Sequence, residues 1–359
     1  MDREQDIQLM ERDLETAYFL EKIQLAKDSL GKRDRPNILW LDEYEDDTKI
    51  RFASRTFDQG IPTMAQSLTD FECGIAALGG LPNAGKSTLI TNMEVQALQA
   101  NPDLMIIDLS FDDDIKKRYQ QWVAALTGLR YQEITTNIPL TEAQQRRRKE
   151  ADDWIVRMVK EDRLRIYDGD YPVRNAEGKV LRRINLRSID QIMRLMARVR
   201  KQYPDRKICF FVDAWNDIDI QGSRYNSENT EGSVAVNNLK QQTHDTNTMV
   251  FMSCHLRKTQ GRRASLEDLK GTSGLGYAAV WAAIFRNELR ENSTTDPLIH
   301  EDDAGRIWPV GIVDIVKTKV SGWDLPLFYV LRADRCGIQP MEDHEYLEMY
   351  EQWAGGRRE

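Results

Sequence analysis

Strand-length apolar runs that alternate with helix-length segments predict an α/β domain whose sheet is mostly parallel. A glycine-rich turn, Gly80-Leu81-Pro82-Asn83-Ala84-Gly85-Lys86-Ser87, sits between the first such run and a helix-permissive stretch, Thr88 to Leu98, the order in which a phosphate-binding loop works. Three later apolar runs lack helix-length spacers between them, which predicts antiparallel strands extending one edge of the sheet.

Before the domain, Ile7, Met10, Leu14, Ala17, Tyr18 and Ile23 recur close to helical spacing, and Gly31 follows as a stop signal. This predicts an amphipathic helix, an N-terminal arm joined to the core by a polar, acidic stretch. Two packings suit it: folded back on its own domain, or laid on a neighbouring subunit. The expected division is residues 1–69 for arm and linker, 70–345 for the core and 346–359 for a C-terminal tail. Within the core the strand-like runs are Ile75 to Leu78, Leu104 to Leu109, Leu164 to Tyr167, Ile208 to Val212 and Met249 to Met252. Helical composition fills Asp114 to Leu126 and Ser188 to Tyr203. The expected antiparallel strands are Val280 to Phe285, Val310 to Val316 and Leu327 to Leu331. Leu129 to Arg163 is longer and more charged than a simple connection, and Tyr171 to Arg183 reads as an inserted turn with Asn175 to Gly178 at its tip.

Composition narrows the function. The 359 residues are 41% hydrophobic and 30% charged, and no apolar run approaches the length of a membrane span, about 20 residues. The first residues, Met-Asp-Arg-Glu-Gln-Asp, are no signal peptide, so the expected location is the cytoplasm, with no membrane partner. Cys73, Cys209, Cys254 and Cys336 are widely separated, which predicts reduced thiols rather than a zinc site or a disulfide framework. A net charge of −8 excludes a surface that attracts nucleic acid everywhere. Charge is nevertheless segregated, with an acidic cluster from Asp42 to Asp47 and a basic run from Arg146 to Lys149.

The phosphate loop carries the chemistry. Its glycines let consecutive N–H groups curl round an anion, the new helix adds its positive end, and Lys86 reaches the outer phosphates. Gly80, Asn83, Ala84, Gly85, Lys86, Ser87 and Thr88 are therefore the expected contacts to ATP. The Ser87 hydroxyl would hold Mg²⁺ together with Asp213, which ends the apolar run Lys207-Ile208-Cys209-Phe210-Phe211-Val212-Asp213. Hydrolysis needs a base as well, and Asp112, Asp113 and Asp114 stand where the run Leu104 to Leu109 reaches the carboxyl edge, at least one of them free to cap the next helix.

With these residues in place a family resemblance is visible. Leu109-Ser110-Phe111-Asp112 resembles the F-S-L-E strand end of the DnaB-like and phage replicative helicases, RecA-like hexameric motors. Phe211-Val212-Asp213-Ala214-Trp215-Asn216-Asp217-Ile218 is similar to their metal-binding strand, V-I-D-Y-L-Q-L-I. Phe251-Met252-Ser253-Cys254-His255-Leu256-Arg257-Lys258 is similar to the strand and loop that carry their γ-phosphate sensor. Asp268 to Leu275, Ala282 to Asn287 and Val316 to Gly322 resemble D-L-R-G-S-G-A-L, I-I-A-L-E-R-N and K-x-R-x-x-G, so the likeness runs over about residues 70 to 335 in family order.

The resemblance implies a RecA-like P-loop NTPase core that assembles as a homo-oligomer, a hexameric ring, in a bacterial or phage-infected cell. It implies ATP and Mg²⁺ as cofactors, single-stranded DNA as partner, and a primase or loader that docks elsewhere or is absent. Residue by residue it puts Asp112 at the catalytic Glu position, with Asp113 the alternative if the register slips by one. His255 becomes the sensor, although a histidine here also suits the core. Lys317 and Lys319 become the segment that reaches the next subunit's nucleotide, and Arg257, Lys258, Arg262, Arg263 and Lys270 the strand-binding loop. Two departures stand out: Asp112 is one methylene shorter than Glu, and Lys319 stands where the family has Arg, without the planar fork. They leave room for a RecA-like switch or recombination ATPase without motor action; a nucleotide or small-molecule kinase would share the phosphate loop alone.

Overall fold

The computed structural model describes residues 16–25, 27, 73–136, 138–174, 179–220, 228–257, 264–269, 273–291, 297–319, 325–341 and 343–355. In chain order, helix α1 (16–25) precedes β1 (Gly74–Gly80), α2 (Lys86–Ala100), β2 (Leu104–Ser110), α3 (Ile115–Thr127), α4 (Tyr131–Thr135), α5 (Glu142–Lys160) and β3 (Leu164–Tyr167). A hairpin, β4 (Asp170–Arg174) and β5 (Val180–Asn185), leads to α6 (Ile189–Gln202), β6 (Lys207–Asp213), α7 (Glu228–Asp245), β7 (Met249–His255), α8 (Ser273–Ala278) and β8 (Trp281–Asn287). After the short α9 (Glu288–Glu291) come β9 (Ile299–Glu301), β10 (Ile307–Thr318), β11 (Leu327–Arg332), β12 (Gly337–Pro340) and α10 (Asp343–Gly355).

The main sheet runs in the order β12-β11-β10-β8-β1-β7-β6-β2-β3. From β8 to β3 every pairing is parallel, and from β10 to β12 every pairing is antiparallel. Strands β1, β2 and β8 are buried along their whole length, as uninterrupted apolar runs covered on both faces must be. The expectation for Val280 to Phe285 is corrected here. Trp281–Asn287 lies parallel to β1, because the connection from β7 to β8 is a crossover, although its described helices are only the 3-10 turn Leu266–Asp268 and Ser273–Ala278. The two later runs are antiparallel, as expected.

The described part of the N-terminal arm folds back on its own domain. Tyr18, Phe19 and Ile23 are buried in the main core, and the Phe19 ring meets Tyr167 edge-on at 5.1 Å. Ile7, Met10, Leu14 and the linker lie outside the described residues. The long charged segment resolves into α4 and α5, the second started by a capping box in which Gln144 N–H donates to Thr141 Oγ1. The boundary expected at 345/346 falls inside α10, whose Tyr346 and Trp353 pack on Phe328 in a second cluster. All four cysteines are free, with Cys73 half-buried and the others buried.

Candidate nucleotide site

Strand register brings the site together. Gly80 pairs with His255 across β1 and β7, and Ser110 pairs with Asp213 across β2 and β6, so four strands end at one edge of the sheet. The chain leaves β1 for α2 and returns at β2, three positions along the sheet with β7 and β6 between, which opens the crevice where such sheets bind ligands.

The loop between β1 and α2 is built for close approach. A Cβ on Gly80 would stand 2.9 Å from the Phe285 carbonyl oxygen, and Gly85 holds φ 112°, which an L side chain resists. Asn83, exposed, also takes positive φ, 61°. No side chain caps the N-terminus of α2, so the amides of Lys86, Ser87 and Thr88 keep their donor capacity for an anion. Lys86 is buried, and its Nζ donates to the carbonyls of Gly80 and Leu81, both at 3.0 Å. Burial pushes its ammonium below the usual lysine range, against the opposing pull of Asp213.

Asp213 is the hub. Its Oδ2 accepts from Ser87 Oγ at 2.7 Å, and its Oδ1 from Ser253 Oγ. Its carbonyl oxygen accepts from the N–H groups of Phe111 at 2.7 Å and Asp112 at 3.3 Å, which ties the end of β2 to the end of β6. A hydroxyl beside an orienting carboxylate suits Mg²⁺, which takes few protein oxygens and completes its shell with phosphate and water. Among the described residues no cluster of three or more His, Cys, Asp or Glu could hold a metal by itself.

The three aspartates after β2 take separate tasks. Asp114 caps α3, accepting from Lys117 N–H at 2.7 Å. Asp113 is buried and held by Gln121 Nε2 at 2.7 Å and by Lys117 Nζ. Asp112 is exposed, and its charge acts on both Lys86 and His255. Half-buried His255 donates its backbone N–H to Asn216 Oδ1 at 2.6 Å, and its buried Nδ1 has no hydrogen-bond partner among the described residues. Burial, and after it the Lys86 charge, push the imidazole below its usual range, which keeps it neutral.

Lys317 and Lys319 sit at the other edge. Lys317 pairs with Ala282 at the start of β8, and Lys319 N–H donates to Val280. Because Phe285 is level with Gly80, Lys319 stands five strand positions, about 16 Å, from the phosphate loop of its own chain. Lys317 Nζ donates to Gly276 O at 2.8 Å and Tyr277 O at 2.7 Å, while Lys319 is exposed. Arg257 is exposed at the stem of the cationic loop, its N–H bonded to Asp268 O at 2.7 Å. Lys258, Arg262, Arg263 and Lys270 lie outside the described residues.

No protein-family model and no curated protein matches the chain. Among solved structures it is similar to the ATPase domain of a phage helicase, at 13% identity and a TM-score of 0.59, over 75% of this chain and 85% of that one. It is also similar to a DnaB-like replicative helicase solved with a view to its interactions with primase, at 14% and 0.57, over 75% of this chain and 59% of that one. The fold is DnaB-like.

Sequence reasoning missed the groups that support this candidate site. Ser253 and Asn216 lie inside motifs read for other residues; a serine after the apolar run Met249 to Met252 was the available signal for the first. Arg118 gave none, being one cation among several at the start of a helix. It is fully buried, donating to Asp108 at 2.8 Å, Thr91 at 2.7 Å, Gln121 at 2.6 Å and Glu94 at 2.5 Å. Thr91 in turn donates to Ser87 O at 2.8 Å, and Gln121 holds Asp113, so one guanidinium joins the phosphate-loop helix to the segment carrying Asp112.

Proposed function

We propose that this chain is an ATP hydrolase and DNA helicase that works as a ring, coupling hydrolysis at subunit interfaces to movement along single-stranded DNA. The observation that carries the reading is the convergence of Lys86, Ser87, Asp213, Asp112 and His255 at the uncapped N-terminus of α2.

ATP lies with its phosphates against the first turn of α2, and Lys86 exchanges two backbone carbonyls for outer phosphate oxygens. Ser87 and Asp213 would hold Mg²⁺, which would neutralise phosphate charge. Asp112 takes the proton of the attacking water, and Asp113 does not, being committed to Gln121 and Lys117. Neutral His255 offers its ring to the outer phosphate and hands the signal to the loop that begins at Arg257. That loop, with Lys258, Arg262, Arg263 and Lys270, grips the strand through its phosphates. Lys319, about 16 Å along the strands from its own loop, completes with Lys317 the site of the next subunit in a hexamer. A primase or loader is a further partner in this scheme.

Steady-state ATP hydrolysis with and without long single-stranded DNA, with Lys86→Ala as blank, tests it. Strong stimulation that disappears in the variant is expected; hydrolysis indifferent to DNA refutes the motor. The second reading, a switch or recombination ATPase of the same fold, is favoured by two residues, Asp112 for Glu and Lys319 for Arg, both of which weaken turnover. It predicts DNA binding without unwinding.

A further inference from the structure

The inserted hairpin, which the nucleotide chemistry leaves unused, forms one wall of a cleft of about 430 Å³ against α6. Arg183 and Asn185 project from β5, and Gln191, Arg194 and Arg198 from the helix face opposite. The three arginines are exposed, and Arg194 and Arg198 are one helical turn apart, about 6 Å along the axis. Between them the half-buried Ile184 is the exposed apolar surface, with Leu186 and Leu195 buried behind it. No carboxylate is among the described residues that line the cleft, in a chain whose net charge is −8.

We propose that this cleft binds a single strand of nucleic acid, its phosphates on Arg183, Arg194 and Arg198 and its sugars and bases against Ile184 and the apolar stems of those arginines. It is a second contact, separate from the loop that starts at Arg257. Guanidinium groups beside an apolar surface match a polymer that alternates anionic and flat apolar parts, more closely than they match a run of carboxylates. The root of the hairpin fixes the cleft to the nucleotide site from two sides. Arg187 Nη2 donates to Phe111 O at 2.7 Å, next to Asp112. Arg187 O accepts from Asp219 N–H at 2.7 Å, and Asp219 O accepts from Ile189 N–H at 3.2 Å, three residues beyond the Asn216 that holds His255. A strand in the cleft therefore rests on the segment that carries the proposed base and on the one that carries Asn216, the partner of the proposed sensor.

The proposal deepens the motor reading and rests on it for purpose, but its test is separable. Binding of fluorescein-labelled oligo(dT) to the full chain is followed by anisotropy over a salt series, without nucleotide. Arg183→Glu with Arg194→Glu should weaken binding at least tenfold and flatten the salt dependence by about 1.4, roughly 0.7 for each phosphate contact removed from a single strand. Lys149→Glu with Lys160→Glu on α5, the same change in charge elsewhere, should bind as the unmodified chain does. Equal losses in both pairs, or none in the first, overturn the proposal. So does a cleft that takes a labelled acidic peptide copying residues 40–50 in preference to oligo(dT). If affinity follows the cleft while ATP hydrolysis ignores the oligonucleotide, the cleft stands and the motor reading falls. If stimulation survives intact in the double variant, the motor stands and the cleft falls.

Discussion

Replacing Arg118 by methionine isolates the buried network under the phosphate loop. The guanidinium donates to four side chains and is fully buried, as are Glu94 and Asp108. Glu94 Oε1 and Asp108 Oδ1 already lack a partner among the described residues, so the two carboxyls depend on Arg118. Removing one member of a buried ion pair costs about 3–5 kcal/mol, a large part of the 5–15 kcal/mol that holds a typical domain together. Burial pushes both carboxyls above their usual range, Glu94 the further, with Arg118 opposing the rise. A carboxyl whose folded value is raised binds more protons in the native state, so its contribution is full below the unfolded value and is lost as pH rises through the folded one. Without Arg118 both values rise further, so the deficit of Arg118→Met should be smaller near pH 5 than near pH 8. Urea unfolding at several pH values measures this. The companion Glu94→Gln, a neutral isostere, should cost under about 1 kcal/mol at neutral pH and flatten the pH slope. A loss below about 1 kcal/mol for Arg118→Met, or a deficit that grows on acidification, refutes the reasoning.

Three further outcomes are expected. Asp112→Asn should lower kcat for ATP by about 10²–10⁴-fold, while Asp113→Asn changes it by less than about tenfold; the reverse order in steady-state assays would move the base to Asp113. Ser253→Ala removes a donor to Asp213 worth about 1 kcal/mol, so the Mg²⁺ concentration for half-maximal hydrolysis should rise several-fold with little change at saturation, and an unmoved Mg²⁺ midpoint counts against the role. Lys319→Ala and Lys86→Ala should each be inactive alone and regain hydrolysis when mixed, because some interfaces then join an intact loop to an intact lysine. Mixtures as inactive as their parts would show that Lys319 does not act across subunits.

The convergence at the candidate nucleotide edge was legible in the sequence because its parts are local: a glycine-rich turn between strand and helix, an apolar run ending in Asp213, a histidine at the end of another. Strand direction was less so. Val280 to Phe285 is as apolar as its antiparallel successors, and direction is set by the crossover before it, whose described helices are too short to leave a periodic signal. The support beneath the site was invisible for a different reason. Arg118, Gln121, Thr91, Glu94 and Asp108 come from three elements and read singly as ordinary polar helix or strand residues; only burial makes them a set. The separate fates of Asp112, Asp113 and Asp114 depend on the position of the first turn of α3, which a run of three identical residues conceals.

The same network explains how a loop made largely of glycine and backbone can hold a definite shape. Lys86 spends its donors on the loop itself, and no side chain caps α2, so local bonds do not fix where the helix begins. Position is imposed one turn further in, where Thr91 bonds both to Ser87 O and to Arg118, and Arg118 bonds to β2 and α3. From α3, Gln121 returns to Asp113, and the Asp213 carbonyl closes the circuit on Phe111 and Asp112. One hydrogen-bonded network thus joins the loop, Asp213 and the proposed base. The free amides at the mouth of the loop stay available to phosphate because the bonds that order them lie elsewhere.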